Sequence, residues 1–376
     1  MTTTTRGRHE RPEPPVGFWQ EVKDAVAPRT IGLVVGVLLL QIGFVLSYVG
    51  AFHQPTPSEV RVAVVAPDQV LSNLVTQLNA LPGTPLLVTA AADEATARDQ
   101  LTRGDISAAL VVDPAGTQDR LLTASAGGVA TDTAVQQVLT AAEAGQQRTL
   151  AVEDVLPLQP GDGRGLTGFY LVIGWIVGGY LIAALLGVAK GARPANPRRA
   201  LIRLAAVVPY AVLSGLGGAL VVGPVLGAMT GHFVALWWLG ALLVFAAAAM
   251  TMAFQVVFGV LGIGITVLVF VVLGNPSAGG AYSAELLPPF WRTIGGWIPN
   301  GAGTAAVRKI VYFDSAGILG NVLVVALWGV VGVLVTLVAS TLMHRRPDDP
   351  RRSTIGTANE QLTPGMRPAQ LGTVRP

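Results

Sequence analysis

Cysteine is absent from all 376 residues, which excludes disulfides and any Cys-ligated zinc or iron–sulfur centre. Charge is scarce. Asp, Glu, Lys and Arg make up 12% of the chain, about half of the roughly 25% usual in a soluble protein. Too few charges remain to cover the water-facing surface of a chain that is 51% hydrophobic. Lysine is nearly missing: of 25 basic residues only Lys23, Lys190 and Lys309 are Lys. The arginine excess reads as coding bias, no basic face is evident, and no nucleic-acid partner is expected. Four histidines (His9, His53, His232, His344) lie far apart, so no metal site is expected. The patterns G-x-S-x-G, H-E-x-x-H and G-x-x-x-x-G-K-[ST] are missing. The chain therefore has no expected catalytic residue, cofactor site or ATP site of its own.

What is present is long uncharged runs. A membrane-crossing helix needs about 20 apolar residues, and six stretches qualify: Ile31–Phe52, Gly168–Ala189, Leu204–Met229, Phe233–Phe254, Gln255–Gly274 and Ile318–Met343. None contains Asp, Glu, Lys or Arg. The fourth and fifth form one uncharged run of 42 residues. As a straight helix it would reach roughly 63 Å at about 1.5 Å per residue, so it must fold back; Thr251–Gln255 is its least apolar point. The first run is 22 residues long, longer than a signal-peptide core, and reads as a retained anchor. Residues 1–30, 190–203 and 344–376 together hold 16 basic and 7 acidic residues, whereas 53–165 and 275–317 hold 9 and 15. The positive-inside rule then places both termini and the Lys190–Arg203 loop in the cytoplasm.

Residues 53–165 are long enough for a small domain. Val60–Val65, Leu86–Thr89 and Ile106–Val112 read as strands. Leu71, Leu74, Val75 and Leu78 fall on one helical face, Asp93 can cap a helix to Arg103, and Val135, Val138, Leu139 and Ala142 mark a last helix within Thr131–Gln147. This order predicts a compact α/β unit. Residues 15–28 place Phe18, Trp19 and Val22 on one side, as in an amphipathic helix on the inner surface or a tail that only looks like one. Residues 1–14 and 344–376 are polar and read as disordered cytoplasmic tails. Small residues spaced by four (Gly32/Gly36, Gly174/Gly178, Ser214/Gly218, Gly223/Gly227) are weak helix-packing signals.

Residues 275–317 are the most patterned. Pro276 ends the preceding helix, while Pro288, Pro289 and Pro299 cut the remainder into pieces too short to span. Leu286, Phe290, Trp291, Ile294, Trp297 and Ile298 are too apolar for a free loop. Short helices dipping into the outer leaflet satisfy both facts, as a gate or as a structural cap. The expected architecture is a mainly α membrane protein of six transmembrane helices, with a small extracellular α/β domain between the first two and re-entrant helices between the fifth and sixth.

This layout resembles the ABC-2 type exporter permeases, in particular the phage-infection-protein (YhgE/Pip)-like branch. The most specific match is Asn275-Pro276-Ser277-x-Gly279-Gly280, Glu285-Leu286-Leu287-Pro288, Pro299 and Arg308-x-x-Val-Tyr312-Phe313. The resemblance implies a separate ATP-binding-cassette ATPase subunit carrying ATP and Mg, and a homodimer or heterodimer of permeases in the bacterial plasma membrane. It implies coupling to the ATPase through Phe18 and Trp19 and through Arg193, Arg198 and Arg199. It implies an outer gate built on Asn275, Pro276, Gly279, Gly280, Glu285, Pro288, Pro289, Pro299 and Arg308. The substrate expected is hydrophobic or amphipathic. Two alternatives stay open: the 190–203 loop fixes topology alone, or the α/β domain is the working part, as a receptor or an envelope or secretion scaffold.

Overall fold

The computed structural model describes residues 17–19, 28–194 and 196–344. Both tails and most of the 15–28 segment lie outside the described residues. Within it, Phe18 and Trp19 are helical and exposed.

The chain is a helical membrane protein. Among the described residues, five helices are long and apolar enough to cross a bilayer: α1 (Pro28–Phe52) and, after the sheet domain, α5 (Thr167–Lys190), α6 (Pro197–Leu220, continued by a π turn Val221–Val225), α7 (Phe233–Phe258) and α11 (Leu319–His344). The stretch expected as a fifth span, 255–274, folds differently. Its first residues extend α7, and the remainder forms α8 (Leu261–Val267) with a π turn at Leu268–Leu273. These 13 apolar residues cover roughly 20 Å at about 1.5 Å per residue.

The chain turns at Gly259 rather than within Thr251–Gln255. Gly259 has φ of 64° and ψ of −135°, a conformation that glycine alone reaches without strain. Thr251 does not break the helix, because its hydroxyl donates to Ala247 O at 2.7 Å. A Cβ at Gly262 would overlap the Phe254 backbone, so the two arms of the hairpin touch main chain to main chain. Helix α8 then runs alongside α1 in the same direction: Gly264 lies against Leu40, and the Ser47 hydroxyl donates to Val272 O.

Helix α7 is the hub, flanked by α5, α6 and α11. Glycines set its close approaches. A Cβ at Gly179, Gly215 or Gly332 would strike the α7 backbone. Of the four-spaced pairs, Gly32, Gly36 and Gly174 face open space, whereas Gly218, with Gly240 of α7, sandwiches the Trp175 indole. That ring is buried and donates to Ser214 O at 3.2 Å.

The sheet domain contains β1 (Val60–Val65), α2 (Asp68–Asn79), β2 (Leu86–Ala90), α3 (Glu94–Arg103), β3 (Ala108–Val111), β4 (Gln118–Thr123), α4 (Val129–Gly145) and β5 (Thr149–Asp154). Strand order is β2-β1-β3-β4-β5; β3 and β4 are antiparallel and the other pairs parallel. One sheet face packs on α2 and α4 through Leu74, Leu78, Val135 and Leu139. The other packs on α3 through Ala97 and Leu101. Asp93 caps α3, accepting from Thr96 N at 2.7 Å. Strand β5 is absent from the sequence expectation; it is a largely exposed edge strand without a strong alternating pattern.

A buried ionic cluster lies under this sheet. Arg148 binds Asp119 through two bonds, Nε to Oδ2 at 2.6 Å and Nη2 to Oδ1 at 2.5 Å. Glu143, 2% exposed, sits 3.8 Å from Arg148 Nε with its Oε2 otherwise unpartnered among the described residues. Burial and the adjacent Asp119 push the Glu143 carboxyl up to about 7. Burial opposes the ionisation of Asp119, but Arg148, the Asp113 N–H and Glu143 together outweigh it and hold that carboxyl below its ordinary range. The stability due to protonated Glu143 is therefore complete below about pH 4.5, its ordinary value, and is lost as pH rises to about 7. Asp119 acts in the opposite sense, and only below its ordinary 3.8. The domain's unfolding temperature is expected to fall between pH 5 and pH 8. Glu143→Gln should remove that fall and raise the midpoint at pH 8. A fluorophore on an introduced Gln137→Cys reports it.

Candidate functional site

The segment after α8 is held by its own backbone. Gly274 N–H bonds Val269 O, five residues back, at 2.9 Å, which frees the Phe270 carbonyl. The Asn300 amide takes it at 2.9 Å and also donates to Asn275 Oδ1 at 2.8 Å. Asn300 is 1% exposed, so this clasp is dry. Pro276 follows immediately and cannot continue the helical bonds.

Two short helices come next, α9 (Pro289–Gly295) and α10 (Pro299–Tyr312). Pro289 and Pro299 each occupy the first helical position, where a missing N–H costs nothing; Pro288 caps α9 in extended geometry. A Cβ on Gly295 would meet Ser277 O, one on Gly301 would meet Gly295 O, and one on Gly280 would enter the Phe169 ring. Gly279 has φ of 72°. The structure thus brings Asn275, Pro276, Gly279, Gly280 and Pro299 into one packed unit against α5. Arg308 joins it through Nη2 to Gly279 O at 3.3 Å.

The sheet domain rests on this unit. Phe313 is buried against Gly104, whose φ of 74° favours glycine, and against Gly127. Tyr312 Oη donates to Asp162 Oδ2 at 2.7 Å, Ser58 N to Glu285 O at 3.0 Å, and the Thr131 and Ser283 hydroxyls share a bond. Glu285 thus contributes its backbone to the seam, and its side chain borders the cavity below the domain.

At the other end of the bundle, the three expected coupling arginines divide. Arg193 caps α7, donating Nε to Val256 O and Nη2 to Val257 O, each at 3.1 Å. Those carbonyls have no partner inside the helix, and Arg is a suitable donor to them. Arg198 and Arg199 are exposed, and among the described residues their side chains make no hydrogen bond or ion pair. Arg203, not among the expected site residues, ties the end of α5 through Lys190 O at 2.7 Å and Gly191 O at 2.9 Å.

Sequence reasoning missed Asn300 and Asp162 as members of the site. Asn300 closes the patterned segment in sequence, but its role depends on the widened turn at Phe270. Among the described residues no group of three His, Asp or Glu is placed to hold a metal ion. Comparison with protein-family models, curated proteins and solved structures gives no match.

Proposed function

We propose that this chain is the permease subunit of an ABC-2 type exporter in the bacterial plasma membrane, moving a hydrophobic or amphipathic molecule out of the cell. In this reading the chain crosses the bilayer six times, α8 being a short fifth crossing. The termini and the Arg193–Arg199 loop are cytoplasmic and the sheet domain is outside. Two permeases act as a dimer with a separate ATPase that holds ATP and Mg. The outer end of the path is closed by the packed unit from Asn275 to Phe313.

One observation carries the reading: a short, π-widened helix ends at a glycine-tight pair of half-helices directly beneath the sheet domain. Non-helical backbone at membrane depth is tolerated only against protein or a water-filled cavity; here the segment packs against α5 and borders a cavity. The energy source follows from what the bundle lacks. No Asp, Glu, Lys or Arg lies within α7, α8 or α11, whereas ion-driven carriers place such groups in their spans. Work must then enter from a partner, and exposed Arg198 and Arg199 offer it a surface.

The test is purification with each ATP-binding-cassette subunit encoded in the same genome. Stable association and an ATPase rate that responds to added amphiphiles are expected; neither, with every candidate, contradicts the proposal. The seat of the sheet domain on Phe313 gives a second reading its footing, in which the domain is a receptor or scaffold. Deleting residues 55–160 would then abolish function, whereas Arg198→Ala with Arg199→Ala would leave it intact.

A further inference from the structure

Between the sheet domain and the re-entrant unit lies a cavity of about 310 Å³. Five cationic side chains border it: Arg61 of β1, Arg103 at the end of α3, Arg292 of α9, and Arg308 and Lys309 of α10. Two carboxylates, Asp132 and Glu285, share the wall.

The cations are poorly neutralised. Among the described residues, Arg61, Arg308 and Lys309 have no carboxylate within 4.0 Å. Half-buried Arg308 makes one hydrogen bond, to Gly279 O at 3.3 Å, and most of its five N–H donors are free. Lys309 Nζ is held by neutral oxygens, Gly317 O at 2.9 Å and Asn321 Oδ1 at 3.0 Å. Arg292 has Glu59 no closer than 3.8 Å. Arg103 alone is well paired, with Asp99 at 2.5 Å. Asp132 is engaged by Gln136 at 2.9 Å. A half-buried guanidinium with unused donors is costly unless an anion completes it, and Arg forks suit phosphate.

Position narrows the ligand. The α9 helix that supplies Arg292 also exposes Phe290 at 57%, and Trp297, just beyond it, is 68% exposed. Trp side chains are enriched at headgroup depth, and Phe290 adds apolar surface beside Trp297. We infer that the cavity binds the phosphate of an anionic amphiphile, with Arg61, Arg308 and Lys309 on the phosphate and the chains leaving past Phe290 and Trp297. The inference needs the α9 segment to lie at the membrane surface; it does not need ATP-driven transport.

The experiment titrates the purified full-length protein in neutral detergent with dihexanoyl phosphatidic acid, dihexanoyl phosphatidylcholine and inorganic phosphate, reading tryptophan fluorescence. Phosphatidic acid should bind saturably. Arg308→Gln should weaken it about tenfold, the scale of losing one charge-assisted bond, and Arg61→Gln, an exposed change that folding tolerates, about threefold. Arg98→Gln, outside the cavity lining, removes one charge and should leave the affinity unchanged. Equal binding of phosphatidylcholine, or no loss in Arg61→Gln and Arg308→Gln, overturns the proposal. Inorganic phosphate binding as tightly as phosphatidic acid overturns the lipid assignment.

Discussion

If the proposed function holds, Arg198→Ala combined with Arg199→Ala is expected to abolish ATP-driven export and to reduce ATPase stimulation at least tenfold, while expression, membrane insertion and detergent stability stay at the level of the unaltered chain. The expectation separates two roles that look alike in sequence. Arg193 holds the last carbonyls of α7, so its removal damages the α7–α8 hairpin whatever its other duties. Arg198 and Arg199 stand in the first turn of α6, exposed and without side-chain partners among the described residues, and surface substitutions of that kind change stability by about 0.5 kcal/mol or less. Export measured in sealed vesicles, beside a melting curve for each variant, checks it. Arg193→Ala is the contrast: it should lower the melting temperature. If the Arg198/Arg199 variant exports normally, the loop does not transmit work from a partner.

Gly295→Val prevents the re-entrant unit from assembling, whereas Gly296→Val leaves it folded. The two glycines are adjacent and of one type, yet their surroundings are opposite. A Cβ at Gly295 would overlap Ser277 O, and backbone cannot move aside as a flexible side chain can. A Cβ at Gly296 meets nothing within 4 Å, and its φ of −67° suits any residue. Overpacking a tight core costs about 1–3 kcal/mol, often more when main chain is struck, which is a large part of a marginal total. Size-exclusion profiles and melting curves of both variants in detergent are the check. Near-equal behaviour would show that Gly295 does not sit against Ser277.

Five of the six expected spans were legible in the sequence, because an uncharged run of about 20 residues that lies in lipid must satisfy its backbone internally, as a helix does. The turn between α7 and α8 was not. Hydropathy marks Thr251 and Gln255 as polar, but it does not register that the Thr251 hydroxyl is satisfied by its own helix. Nor does it show that Gly259 alone adopts the conformation ending α7. The spacing rule chose Gly178 where the neighbour Gly179 makes the close approach to α7, because a four-residue interval fixes a helix face only to within one position. In the sheet domain, core faces were readable from periodicity, while the exposed edge strand β5 carries no such signal. At the candidate site, prolines and glycines revealed the broken segment. The cationic cavity was invisible, because Arg61 and Arg308 meet only through the seating of the domain on Phe313.

The absence of cysteine allows the central claim to be tested by single-site labelling. Gln137→Cys in the sheet domain, Arg198→Cys in the α5–α6 loop and Ser353→Cys in the C-terminal tail would each be the one thiol present. In intact cells a membrane-impermeant maleimide should modify the first and spare the other two until the membrane is opened. Modification of Arg198→Cys in sealed cells, or Gln137→Cys and Ser353→Cys responding alike, would contradict a chain that crosses the bilayer six times with its sheet domain outside.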